Sequence, residues 1–189
     1  MEKESMTVHH HFMDLALQQA EAALAVGDFP VGCVIEYQGR VVASGHRANS
    51  IGTINEIDHA EMVALRSLLA GDHTIPMDRV TIYSTMEPCL MCYATLLVNG
   101  VRRFVYAYED VMGGGTNLPL AKLAPLYRDL SPMVLGSIRR FSSLALFHRF
   151  FSNPDCRYLS GTLLAEYTLS QELADVQQRA IPTLVNHIK

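Results

Sequence analysis

His59 and Glu61 stand two positions apart in the run His59-Ala60-Glu61, and Pro88-Cys89 and Cys92 follow thirty residues later. One imidazole, two thiols and a carboxylate are thus divided between two short segments. Zinc takes thiolate and imidazole ligands in a tetrahedron, filling all four positions in structural sites and leaving one to water in catalytic sites. Three ligands with a motif's context are evident here. A fold that brings the two segments together around one metal leaves the fourth position open unless a further ligand completes it.

The spacing says how. Cys89 and Cys92 lie one helical turn apart, so their sulfurs point the same way if a helix opens at Pro88-Cys89 and ends before Gly100. Proline suits the first turn, where no N–H is needed, and the positive end of the helix favours thiolates. A second helix is expected from Ala60 to Leu69, with Met62, Leu65 and Leu69 on its apolar face. Residues two apart in a helix diverge by about 200°, so His59 and Glu61 can serve one water only at the first turn.

Taken alone, Cys-x-x-Cys also occurs in closed zinc sites and redox motifs, and His-x-Glu is weak. Their combination in this order carries the catalytic reading. The competing reading is a closed structural site completed by Cys33 or Cys156. Cys33 sits in the apolar run from Val31 to Ile35, where a buried thiol is expected, and Cys156 stands alone after Asn153-Pro154-Asp155.

Helical spacing of Phe12, Ala16, Ala20 and Leu24 predicts a helix from Phe12 to Val26 stopped by Gly27. Val31 to Tyr37 and Arg40 to Ser44 read as a hairpin turning at Gln38-Gly39. Strands are expected at Val80 to Ser84, Arg103 to Ala107 and Met133 to Leu135, and helices at Leu118 to Tyr127 and Ser142 to Phe151. Strands alternating with helices imply a layered α/β fold with the metal site where two helix N-termini meet beside the sheet. Gly113-Gly114-Gly115 lacks the lysine and spacing of a phosphate loop and reads as a flexible rim. A last helix is expected over Glu172 to Ile181, capped by Ser170 and ended by Pro182.

The length of 189 residues suits one catalytic domain, here residues 1–152, with 153–189 an extension packed on that domain or on a partner subunit. The acidic Met1-Glu2-Lys3-Glu4-Ser5 start precedes no long apolar run, so neither a secretory signal nor a membrane span is indicated, and the cytoplasm is the expected compartment. Two cysteines placed for metal also argue against a disulfide framework. Charge is uneven: residues 1–99 hold 12 acidic and 5 basic side chains, whereas residues 100–152 hold 3 and 7. That basic middle, with Arg102, Arg103, Lys122, Arg128, Arg139, Arg140 and Arg149, is either a phosphate-binding face or a solvated one.

The H-x-E…P-C-x-x-C pattern is shared by zinc-dependent nucleobase deaminases. With Pro30-Val31-Gly32, Ala64-Leu65-Arg66 and Glu87-Pro88-Cys89-Leu90-Met91-Cys92 beside it, residues from about Phe12 to Phe151 resemble the cytidine deaminase-like superfamily. The nearest branches are the bacterial tRNA adenosine deaminases and their nucleobase-deaminase relatives. The resemblance implies a three-layer α/β/α fold with a mixed central sheet. It also implies Zn2+ held by His59, Cys89 and Cys92, proton transfer by Glu61, and homodimers. Asn49 falls where the family has an asparagine that contacts the substrate; capping a turn is its alternative role.

The resemblance places adenosine in tRNA first as substrate. Free bases or nucleosides such as guanine or cytosine stand second, and a non-catalytic zinc module is a distant third. The basic C-terminal helix of the tRNA enzymes is thin here, with Arg139, Arg140 and Arg149 around Phe147, Phe150 and Phe151. Tyr93 also departs from the small residues usual at its position and is expected to narrow the pocket or stack on a base.

Overall fold

The computed structural model describes residues 2–52, 54–71 and 74–173. Its first half is α1 (Glu2–Ala25), β1 (Gly32–Tyr37), β2 (Arg40–His46), α2 (Ala60–Ala70), β3 (Thr81–Met86), α3 (Leu90–Val98) and β4 (Arg103–Tyr108). There follow a 3-10 turn at Leu120–Lys122, α4 (Pro125–Arg128), β5 (Met133–Leu135), α5 (Arg140–Phe151) and α6 (Leu163–Ser170).

The five strands form one sheet in the order β2-β1-β3-β4-β5. β1 runs antiparallel to β2 and β3, while β3, β4 and β5 are parallel. The β1–β2 hairpin turns where expected, because Gln38 and Gly39 both take positive φ, as a two-residue turn matched to strand twist requires. α3 makes the crossover between the parallel strands β3 and β4.

Alternate residues of β1 separate the layers. Cys33 and Ile35 pack with Met62, Leu65 and Leu68 of α2 and Leu96 of α3, whereas Val34 packs with Phe12, Met13 and Ala16 of α1. α1 meets α5 through Leu17, Ala20 and Leu146. Helices on both faces of a mixed sheet make this the expected three-layer α/β/α architecture. No described helix is long and apolar enough to cross a membrane.

Several sequence expectations change. α1 starts at Glu2, because the apolar repeat marks only the part that packs and the polar first turns continue the helix; its His9 Nδ1 lies 2.9 Å from Tyr83 OH. The helix expected from Leu118 to Tyr127 is divided into two short turns, each opened by a proline, Pro119 and Pro125. Ser170 ends α6 instead of capping a later helix, and Glu172 and Leu173 are not helical. The rest of that expected helix lies outside the described residues.

Close approach of α2 to the sheet sets where the segment of His59 and Glu61 begins. A Cβ on Gly45 of β2 would lie 2.7 Å from Ala60 O and from Ala64 N, both backbone atoms of α2. Gly45→Ala must therefore displace the first turns of that helix. The expected cost is about 1–3 kcal/mol, the usual penalty of overpacking, read as a lower urea midpoint with unchanged slope.

Candidate active site

α2 and α3 present their N-termini to one another. His59 and Cys89 are their N-cap residues, both in extended backbone conformation and neither using its side chain to cap its own helix. Neither side chain is engaged with the free N–H groups of its helix, which leaves imidazole and thiol for other work. Cys92 follows in the first turn of α3. Pro88 precedes the cap and does not open the helix as expected: its carbonyl accepts Gly115 N–H at 2.9 Å, and Cys89 bridges to Gly114. That pairing holds the Cys89 backbone extended.

His59 Nδ1 lies 3.5 Å from Cys89 Sγ and 3.5 Å from Cys92 Sγ. Zinc–sulfur and zinc–nitrogen bonds of about 2.3 and 2.05 Å at tetrahedral angles would set sulfur and nitrogen ~3.6 Å apart, so the donor set fits zinc. Among the described residues, His59, Cys89 and Cys92 are the His, Cys, Asp and Glu side chains grouped tightly enough to hold a metal. Cys33 is buried in β1, and Cys156 Sγ donates to Tyr158 O. Neither completes a closed four-ligand site.

Electrostatics support thiolate formation at Cys89. The Cys89 thiol is pulled down to about 4, first by its hydrogen bond to Cys92 and further by His59. The Cys92 thiol is pushed up, first by that same bond and then by burial. A divalent cation held by both sulfurs would favour the thiolate form of each.

Glu61, 3% exposed, lies in the first turn of α2 and lines the same cavity as His59 and Cys89. Ser84 Oγ of β3 donates to its Oε1 at 3.1 Å, and burial raises its carboxyl above the ordinary carboxylate range. A fixed carboxyl of raised pKa beside an open metal position suits an acid/base.

The cavity holds about 200 Å3. Drug-sized sites hold roughly 300–1,000 Å3, so this volume suits one base and not a whole nucleotide. Phe29, Val31, Met86 and Met112 supply apolar walls, and Tyr158, Leu159 and Leu164 close it from the segment after α5. Glu87 and Asp110 add carboxylates. Thr116 N–H and Oγ1 donate to Glu87, and Asp110 Oδ1 accepts Met112 and Gly113 N–H groups.

The glycine run is a hydrogen-bonded rim of the cavity, with Gly113 and Gly114 exposed and Gly113 among the lining residues. Gly113 O accepts Leu90 N–H, Gly114 N–H donates to Asp110 O, and a Cβ on Gly114 would meet Glu87 at 2.7 Å. Tyr93 does not enter the pocket. It is 1% exposed and meets Phe104 edge-on at 4.9 Å, because one residue beyond Cys92 the helix surface has turned towards the sheet.

Asn49 also stays outside the cavity. It is exposed, takes φ 59°, and donates from Nδ2 to Asp58 Oδ2 at 2.8 Å, a turn-fixing role. Arg47, two residues earlier, lines the cavity instead, with Glu56 beside it. Sequence reasoning missed Arg47, Glu56, Asp110 and Tyr158, since none sits in a motif of spaced ligands.

Part of the basic middle is engaged by neighbouring groups of the fold, while Lys122, Arg128, Arg139 and Arg149 are exposed. Arg139 pairs with Asp14, Arg140 with Glu109, and Arg102 and Arg103 donate to backbone carbonyls. Arg149 is exposed and, with Arg157, borders a groove that also touches Tyr158.

The family described as the cytidine and deoxycytidylate deaminase zinc-binding region matches residues 6–108. The tRNA-specific adenosine deaminase of Agrobacterium fabrum is 29% identical over 147 residues, 77% of this chain and 95% of its own length. A solved structure from a study of A-to-I editing by tRNA:A34 deaminases superimposes with TM-score 0.56 at 28% identity, covering 67% of this chain and 96% of the other. A guanine deaminase from Nitrosomonas europaea, at 18% identity, shares the fold with TM-score 0.58, covering 75% of this chain and 83% of its own.

Proposed function

Because the chain belongs to the cytidine and deoxycytidylate deaminase zinc-binding family, and so is a zinc-dependent hydrolytic deaminase, we propose that its substrate is adenosine in tRNA, converted to inosine with release of ammonia. The observation that carries the site assignment is the His59, Cys89 and Cys92 cluster opening into a base-sized cavity beside buried Glu61. These three residues are the proposed zinc ligands.

Zinc, when bound, supplies a Lewis acid that lowers the pKa of water from 15.7 to about 7. Glu61 then takes a proton from the attacking water, passes it to a ring nitrogen as the amino-bearing carbon gains oxygen, and helps protonate the departing ammonia. Ser84 keeps the Glu61 carboxyl aimed through these transfers. Phe29 and Tyr158, with ring centroids 5.4 Å apart, provide aromatic surface for a base extruded from its stack. The exposed Arg149 and Arg157 border the outer groove where neighbouring phosphates would lie. Asn49 contributes by fixing the turn through Asp58.

Residues 1–152 form the deaminase domain in this reading and 153–189 an extension, whose described part, up to Leu173, packs on it through Tyr158 and α6. Homodimers fit the exposed apolar Leu90 and Val98 of α3. The cytoplasm is the matching compartment.

Deamination of a free base is the second reading, favoured by the internal pairing of Arg139 and Arg140 and by closure of the cavity with Leu159 and Leu164. Inosine formation in an anticodon stem-loop RNA, run beside ammonia release from free bases and nucleosides, separates the two. Single-stranded contacts lose affinity with a slope of about −0.7 per phosphate, so two arginine contacts predict ~7-fold weaker RNA binding for a fourfold rise in salt. Turnover confined to a free base, insensitive to salt, would overturn the tRNA assignment.

A further inference from the structure

We propose that Glu56 is a positioning residue for His59, and that it is held in place by Arg47 and by Tyr158 from the segment after α5. The inference rests on the zinc-site reading and is independent of the choice of substrate.

The two nitrogens of His59 face different ways. Nδ1 lies 3.5 Å from both cysteine sulfurs, while Nε2 lies 3.4 Å from Glu56 Oε2. A carboxylate that accepts the Nε2 hydrogen fixes the tautomer, leaves the Nδ1 lone pair turned towards the metal position, and makes that nitrogen a stronger donor. Glu56 reaches the ring from the loop between β2 and α2, with its side chain 57% exposed, and on an exposed loop a long side chain does not keep one orientation unaided.

Two further donors converge on the same oxygen. Arg47 Nη2 lies 3.0 Å from Glu56 Oε2, and Tyr158 OH donates to it at 3.0 Å across 102 residues of sequence. Arg47 is itself 1% exposed, and its Nη1 donates to Ala48 O and Asn55 O, pinning the loop on which Glu56 stands. Its buried Nε makes no hydrogen bond, so the guanidinium is oriented by what its two Nη groups bind. The same guanidinium stacks over the Tyr158 ring at 5.5 Å from the centroid, which places the phenol hydroxyl. A chain of contacts thus runs from Tyr158 and Arg47 through Glu56 to the ligand His59, and the extension contributes to the metal centre without touching it.

The test measures zinc affinity of the full chain by competition with a chromogenic chelator, together with thermal unfolding of the metal-stripped protein. Glu56→Gln is expected to weaken zinc by about 10- to 100-fold, the usual cost of losing a partner of a metal-bound histidine, with unfolding of the stripped protein unchanged. Tyr158→Phe should weaken zinc by a smaller factor. The double variant should be no weaker than Glu56→Gln alone, because the hydroxyl acts through the carboxylate. Parental zinc affinity in Glu56→Gln, or additive losses in the double variant, would overturn the proposal. Should Glu56→Gln fail to fold, Tyr158→Phe decides: it keeps the ring and loses one oxygen, so weakened zinc supports the coupling and unchanged zinc refutes it. A parent chain that binds no zinc would instead sink the zinc-site reading itself.

Discussion

Glu61→Gln is expected to retain a full complement of zinc and to lose about 10²–10⁴-fold in kcat, the range that a positioned general acid/base contributes. The amide has the shape of the carboxyl and can still accept the Ser84 hydroxyl, so the fold and the three ligands are undisturbed. What it cannot do is take up and return a proton. Because Glu61 is buried, solvent cannot readily stand in for it. Single-turnover kinetics beside a metal assay separate the cases. Loss of zinc together with rate would make Glu61 part of the metal centre, and an unchanged rate would remove it from the chemistry.

Cys89→Ala should abolish turnover through a different route, by emptying the site. The remaining His59 and Cys92 offer two ligands, and zinc affinity should fall by more than the roughly 10–100-fold that follows loss of a ligand's partner. Cys89 is only half-buried, so little packing is lost with its sulfur. Stability therefore reports the metal: a parent saturated with zinc at about 100 times its dissociation constant gains ~2.7 kcal/mol that the variant lacks. After chelation the two chains should unfold alike. Calorimetry with and without chelator checks this, and a persistent difference between the stripped proteins would show that Cys89 has a structural role of its own.

The two variants differ in what they leave behind, and that difference mirrors how legible the site was. His59, Glu61, Cys89 and Cys92 could be placed at two helix starts because the relevant signals are local: an apolar repeat, a proline, a glycine stop. Gly100 ends α3 at φ 97° with Val101 N–H returning to Leu96 O, as the sequence leads one to expect. Local signals were weaker where two conformations compete. Pro88 is compatible with both a first helical turn and an extended entry, and only the pairing with Gly114 and Gly115, far along the chain, chose the latter.

The sequence by itself determined the layered α/β class, the β1–β2 turn and the two helix starts that carry His59, Glu61, Cys89 and Cys92, since backbone sterics and side-chain periodicity act over a few residues. Tertiary structure alone decided which neighbours line the cavity: Arg47 and not Asn49, Tyr158 from the extension and not Tyr93 from α3. It also decided that Arg139 and Arg140 pair with Asp14 and Glu109. Those outcomes depend on groups more than 30 residues apart meeting at hydrogen-bond distance, such as Tyr158 and Glu56. No local period encodes such a meeting, because the packed layers and the chain's path around them bring the groups together.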